Sequence, residues 1–122
     1  MNWFGIGAIS AGIGVAIGAF GAHGLENVIS DASRLETFET GARYQMYHAL
    51  ALLAVGWAGT RWKSPLISIA GWLFLIGTLI FSGSLYLLVL TDTPILGAIT
   101  PLGGVAFISG WIALGLGALR GR

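Results

Sequence analysis

The sequence predicts an all-α fold, an integral membrane four-helix bundle. Three observations predict it. Of the 122 residues, 56% are hydrophobic and only 9% are charged, against about 25% charged in an ordinary soluble chain. Charges this sparse cannot coat a water-facing surface. Four long stretches, Asn2 to Leu25, Tyr44 to Thr60, Ser64 to Thr91 and Thr93 to Leu119, contain no formal charge. Of the 20 glycines, seven recur at three- and four-residue spacing in two helix seams. A net charge of +1 is too small to suggest nucleic acid, so none is expected as a partner, and the absence of cysteine excludes disulfides and thiol chemistry.

The elements follow in order. A spanning helix needs about 20 mostly apolar residues, and the first stretch supplies them as a span over about 2–24. The run AFGAHG resembles a cleavage site, but no Lys or Arg precedes the apolar run, so it reads as a span and not a signal peptide. A loop with an amphipathic helical start occupies 25–40. Ser33 and Glu36 form an S-x-x-E capping box, with Asp31 as a competing cap. From Ser33 to Thr60 an unbroken helix is roughly 42 Å long at about 1.5 Å per residue, more than the hydrocarbon core. It therefore projects from the membrane or bends at Gly41. The second span covers about 40–60 and the third about 65–90. The fourth, over about 97–119, has two starts, because Thr93-Pro94 and Thr100-Pro101 each read as cap plus first-turn proline. A short helix or turn over PILGAIT fits both.

Four spans put the N-terminus, the second connection and the C-terminus on one side, with Arg61, Lys63, Arg120 and Arg122. The other side carries Arg34 and Arg43 among five acidic residues. The positive-inside bias predicts N-in, C-in, with both termini cytoplasmic. Trp3, Trp57, Trp62 and Trp72 lie near span ends, as interfacial aromatics should.

Gly7, Ala11, Gly14, Gly18 and Gly21 form a small-residue seam on helix one. Gly103, Ala106, Gly110, Ala113 and Gly117 form another on helix four. In lipid, helices associate by close backbone approach, and such seams permit it. The partner of each seam is the other helix or a second protomer.

The most polar stretch is ARYQMYHALALL, Ala42 to Leu53. Tyr44, Tyr47 and His48 share a helix face, with Gln45 about a quarter turn from Tyr44, and Glu39 lies four residues before Arg43. His23, Tyr86 and Asp92 come to the same side, and Ser82 and Ser84 sit deeper. These eleven residues, His23, Glu39, Arg43, Tyr44, Gln45, Tyr47, His48, Ser82, Ser84, Tyr86 and Asp92, are the candidate binding set, converging from three helices at the outer mouth. The first reading is hydrogen bonding that fixes helix register, because unpaired polar groups in lipid cost several kcal/mol. A ligand, lipid headgroup or proton site is the second. A metal or haem site on His23 and His48 is the weakest, for no third ligand accompanies them. No nucleophile elbow, carboxylate pair or phosphate loop is present. The expectation is therefore no catalytic residues, no metal and no cofactor.

GAFGAHGL (Gly18 to Leu25), ETFETGARYQMYHALALL (Glu36 to Leu53), FSGSLYLL (Phe81 to Leu88), LGAITPLGG (Leu96 to Gly104) and the Gly110-Trp111 pair resemble the signature segments of the domain of unknown function 423 family. These are small bacterial four-helix membrane proteins, and animal transmembrane protein 256 is similar. The resemblance covers nearly the whole chain without a departure in the first two segments. It implies four spans, a bacterial inner-membrane location, and hallmark status for the polar and glycine segments. It brings no activity to any position. Two functions remain. One is a structural or interaction module that forms a homo-oligomer or binds lipid or protein. The other is a carrier holding a small molecule or lipid in a polar cavity at the mouth.

Overall fold

The computed structural model describes residues 1–121 and is helical almost throughout. Helix α1 runs Trp3–His23, α2 Ala32–Arg61, α3 Pro65–Thr91 and α4 Thr100–Arg120. Three of these stretches, Trp3–Asn27, Pro65–Thr91 and Pro94–Arg120, are long and apolar enough to cross a membrane. Helix α2 has the length, but Arg34, Glu36, Glu39 and Arg43 crowd its first half.

Local chemistry sets the ends. Asn2 Oδ1 accepts from Gly5 N at 2.8 Å and starts α1. A 3-10 turn, Leu25–Asn27, follows it. The cap of α2 is Asp31, whose Oδ1 accepts from Ser33 N at 2.9 Å. The expected Ser33–Glu36 box is thus displaced: a carboxylate also suits the positive end of the helix dipole. Ser33 lies in the first turn, and its carbonyl takes the Thr37 hydroxyl at 3.0 Å. Helix α2 continues through Gly41 without a break. Gly41 instead admits a neighbour, because a Cβ there would lie 2.9 Å from Tyr86 Cε1. Ser64 caps α3 with Pro65 behind it. The helix ends at Asp92 in the left-handed region, φ 51° and ψ 49°, where Asp is among the few non-glycine residues tolerated. Pro94 opens a separate 3-10 turn, Pro94–Ala98, and Pro101 lies in the first turn of α4. Thr100 does not cap α4: it is the first helical residue, and its hydroxyl serves Ser84.

The helices pack as a row of antiparallel neighbours. Helices α2 and α3 form the central pair, α1 lies against α2 and α4 against α3. Glycines set the register. On α1, Gly7 meets the Ala49 carbonyl and Leu52, Gly14 meets Gln45 and Met46, and Gly21 meets Phe38. On α4, Gly103 meets Phe81, Gly110 meets Phe74 and Gly117 meets Ile67. Both seams are therefore used inside the chain, each against a central helix and not against each other. The contacts recur every seven residues, the spacing that keeps a seam facing its partner in a left-handed crossing. Gly18 leaves the seam: a Cβ there would meet nothing within 4 Å.

The main core gathers Leu52, Val55, Ile67, Phe74 and Phe107 with small residues around them. Trp3 belongs to it. It is 6% exposed, lies against Gly71 and meets Trp72 edge-on at 5.2 Å, so it is a core side chain rather than an interfacial anchor. A second small core of Leu25, Ile29, Phe38 and Val89 seals the end where α1 turns into α2. The outward residues, Ile9, Ile13, Leu79, Leu102, Val105 and Ile108 among them, are apolar, as an exterior facing lipid requires.

Candidate functional site

The candidate residues do not meet in one mouth. They divide into separate groups because α2 has a different neighbour on each flank. Successive residues turn by about 100°, so His48 lies about 60° from Gln45 around the helix. That angle is enough to send one toward α1 and the other toward α4.

Gln45 is the centre of the first group and is 6% exposed. Its Nε2 donates to the Ser10 carbonyl of α1 at 3.0 Å, and its Oε1 accepts from Tyr86 Oη of α3 at 2.7 Å. Nearby, Ser82 Oγ donates to the Gly41 carbonyl at 2.7 Å. Three helices are thus tied through one amide. The tie is not at the mouth. Gln45 stands level with Gly14 and Ser10, near the middle of α1.

His48 is the centre of the second group and is 4% exposed. Trp111 Nε1 of α4 donates to His48 Nε2 at 3.1 Å, and Nδ1 lies 2.8 Å from the Tyr44 carbonyl. Indole N–H only donates and a carbonyl only accepts, so the pair fixes the neutral tautomer with the proton on Nδ1. The imidazole stacks on Phe107 with ring centroids 3.5 Å apart and planes 6° from parallel. Trp111 and Phe107 lie in the middle of α4, so His48 stands far from the mouth at which it was expected. It lies this deep because the charged start of α2 itself packs beside the 24–31 connection and the end of α3.

The remaining residues scatter. Ser84 Oγ and Thr100 Oγ1 are 2.5 Å apart and join α3 to α4. Arg43 pairs only with Glu39, at 3.0 Å on the exposed face of α2. Arg34 Nε lies 3.6 Å from Asp92, and its Nη2 donates to the Val89 carbonyl at the end of α3. Tyr44 is half-buried, whereas Tyr47 and His23 are exposed, and the His23 side chain joins none of these groups. Sequence reasoning missed Ser10, Thr100 and Trp111 as partners. A backbone carbonyl leaves no mark in a sequence. Trp111 did, as an indole beside Gly110 in midspan, where its N–H needs an acceptor.

Among the described residues, the one buried side-chain nitrogen or oxygen without a hydrogen bond is Arg34 Nε, beside the Asp92 carboxylate. No three His, Asp or Glu side chains gather as a metal set among them. His23 and His48 belong to different groups, and both nitrogens of His48 are engaged.

Three recesses flank these groups. One of about 490 Å³ lies between the end of α1 and the start of α2, with Glu26, Glu36 and Glu39 on its wall. A second, about 370 Å³, runs between α1 and α3 over Gln45. A third, about 560 Å³, lies between α2 and α4 beside His48.

The family described as "Protein of unknown function (DUF423)" matches residues 17–104. A UPF0382 membrane protein of Bacillus subtilis, YwdK, is 49% identical over 116 residues, covering 94% of each chain. One from Staphylococcus saprophyticus is 51% identical over 116 residues, again 94% of each chain. One from Staphylococcus aureus is 54% identical over 110 residues, covering 89% of this chain and 88% of its own. No solved structure matches the chain. The match spans the polar stretch of α2, all of α3 and the start of α4, and the relatives extend it over nearly the full length: the chain belongs to the DUF423 family of membrane proteins.

Proposed function

We propose that this protein is a non-catalytic, four-span module of the bacterial inner membrane that self-associates or binds lipid or protein. The observation that carries this reading is internal satisfaction. The buried polar side chains of α2 and α3 bond to neighbouring helices of the same chain. Groups committed in this way are structural clasps, and none is left over to act on a substrate. The glycine seams are likewise spent on internal packing. Beyond the charged first half of α2, what faces outward is mostly apolar side chain, the surface by which a membrane module meets lipid or another protein.

Helix α2 is the fourth span in this reading. Its charge-free Tyr44 to Thr60 segment pairs with α1 and α3 along its length. Charge pairing supports the N-in, C-in orientation. Arg34 and Arg43 lie near Asp92 and Glu39. Among the described residues Arg61, Lys63 and Arg120 have no acidic partner, so the net positive end is the one with the termini; Arg122 lies outside the described residues.

Native mass spectrometry of the gently extracted protein tests the reading, with wild type beside His48→Ala. The expected result is a dimer or larger assembly, or a defined lipid adduct, that persists in the mutant while its melting temperature falls. A bare monomer at every concentration overturns the module. An adduct lost from a mutant with unchanged melting temperature favours the carrier instead.

A further inference from the structure

We infer that the groove between α2 and α4 binds a membrane-dissolved quinone, a planar ring bearing carbonyl oxygens on an apolar tail. The inference rests on the lipid-binding form of the function proposed above and names the lipid class. Six of the eight residues that line this groove of about 560 Å³ are ring side chains: Tyr44, Tyr47, His48, Phe81, Phe107 and Trp111. The volume falls in the range of small-molecule sites, roughly 300–1,000 Å³.

The opening exists because α2 and α4 meet only lightly and because Gly104 brings no side chain. A Cβ at Gly104 would find Phe81 Cε2 at 4.0 Å and nothing nearer. The other apolar wall is Ile108, 64% exposed. The aromatic planes offer stacking surface for a flat ring.

The polar chemistry of the wall is selective. His48 uses both nitrogens within the chain, and the Trp111 N–H is committed to it. Neither the Tyr44 nor the Tyr47 hydroxyl has a hydrogen-bond partner among the described residues. These are the two free donors of the groove. A hydroxyl in hydrocarbon without a partner is costly, and a ring carbonyl is the acceptor that a lipid-soluble molecule supplies. No Lys or Arg lines the groove, so a phosphate headgroup finds no counter-charge there. The groove over Gln45 differs in kind: Gln45, Thr78, Ser82 and Tyr86 already have partners, which leaves the Ser10 hydroxyl as its one free side-chain donor among the described residues, and Tyr86 is its one ring.

Titration of the full-length protein in phosphatidylcholine nanodiscs with decylubiquinone, read by quenching of tryptophan fluorescence, tests the assignment. Wild type is expected to saturate. Gly104→Leu, which fills the groove, is expected to bind at least about tenfold more weakly, with the melting temperature unchanged. Gly12→Leu points into open space on α1 and should bind like wild type. Tyr44→Phe/Tyr47→Phe keeps both rings and should weaken binding roughly fivefold or more, on the scale of two lost hydrogen bonds. If Gly104→Leu proves unstable, Ile108→Trp blocks the same groove from the lipid side. Unsaturable quenching that is equal in wild type and both blocking variants overturns the site. Blocked binding with no effect of the double Phe variant overturns the quinone class in favour of an apolar ring compound such as a sterol. Neither result touches the module proposed above, which stands or falls on the assemblies and adducts seen by native mass spectrometry.

Discussion

Gln45 and His48 are three residues apart and do different work. Gln45 is a three-helix knot: it donates to α1 and accepts from α3. His48 is a two-helix clasp that closes on Trp111 and rests flat on Phe107. In a bilayer such bonds average about 0.6 kcal/mol and reach about 1.7 kcal/mol. Gln45→Leu is expected to cost more than one bond, because it leaves Tyr86 Oη without its acceptor and also takes from the Ser10 carbonyl its second donor, beyond the helix bond it keeps. Tyr86→Phe removes only one partner. In a double-mutant cycle by reversible unfolding in detergent, the two losses should therefore add to less than their sum, with coupling near 1 kcal/mol. Strict additivity would show that the Gln45–Tyr86 bond contributes nothing. Arg34 gives a second residue-scale case. It reaches the last turn of α3 through the Val89 carbonyl and the Asp92 carboxylate. Arg34→Leu should lower stability by about 1–3 kcal/mol, while Arg43→Leu, whose pair is exposed, should stay within about 0.5 kcal/mol. Equal melting temperatures for the two variants would refute the distinction.

At the scale of elements, glycine is the organising residue, and its positions sort cleanly by what lies opposite. A Cβ at Gly7 would sit 2.6 Å from the Ala49 carbonyl oxygen, and one at Gly103 would sit 2.5 Å from the Phe81 backbone nitrogen. Neither neighbour is a side-chain tip that can swing away, so the helices themselves must part. Gly12 and Gly115 face open space. Gly7→Ala and Gly103→Ala are expected to destabilise by about 1–3 kcal/mol, whereas Gly12→Ala and Gly115→Ala should be neutral or slightly stabilising. Thermal melts of the four variants check this, and uniform behaviour would sink the seam model. The existence of both seams was legible in the sequence, because small residues at three and four spacing mark a helix face. Their partners were not. A period says which side of α1 is smooth, but the choice among α2, α4 and a second protomer depends on large residues elsewhere, such as Phe38 and Phe74, that complement the gaps. Where two caps competed, the choice between them was not legible. Asp31 prevailed over Ser33, and Thr100 turned to Ser84.

For the whole molecule, composition alone dictated helices in lipid, and the polar cluster was the part least readable. Of its residues, Gln45, His48, Ser82 and Ser84 are buried. Their assembly into one mouth failed, because a helix flanked by two neighbours distributes adjacent residues to both. Depth failed as well. The charged opening turns of α2 lie beside the second core of Leu25, Ile29, Phe38 and Val89, so residues only two turns further in already reach midspan. This geometry bears on orientation. The antiparallel row places Ser33 at the end with the 24–31 and 92–99 connections, and Thr60 at the end with both termini. Both residues are exposed, and the chain contains no cysteine of its own. Single-cysteine variants Ser33→Cys and Thr60→Cys therefore report the two faces without background. The N-in, C-in orientation proposed above holds Arg61, Lys63 and Arg120 in the cytoplasm, and it predicts that a membrane-impermeant maleimide added to intact spheroplasts labels Ser33→Cys and leaves Thr60→Cys unmodified until the cells are opened. The reverse pattern would invert the orientation. Labelling of both sites from outside would place α2 on the membrane surface instead of across it, leaving three spans, and the charges of its first half would then be the reason.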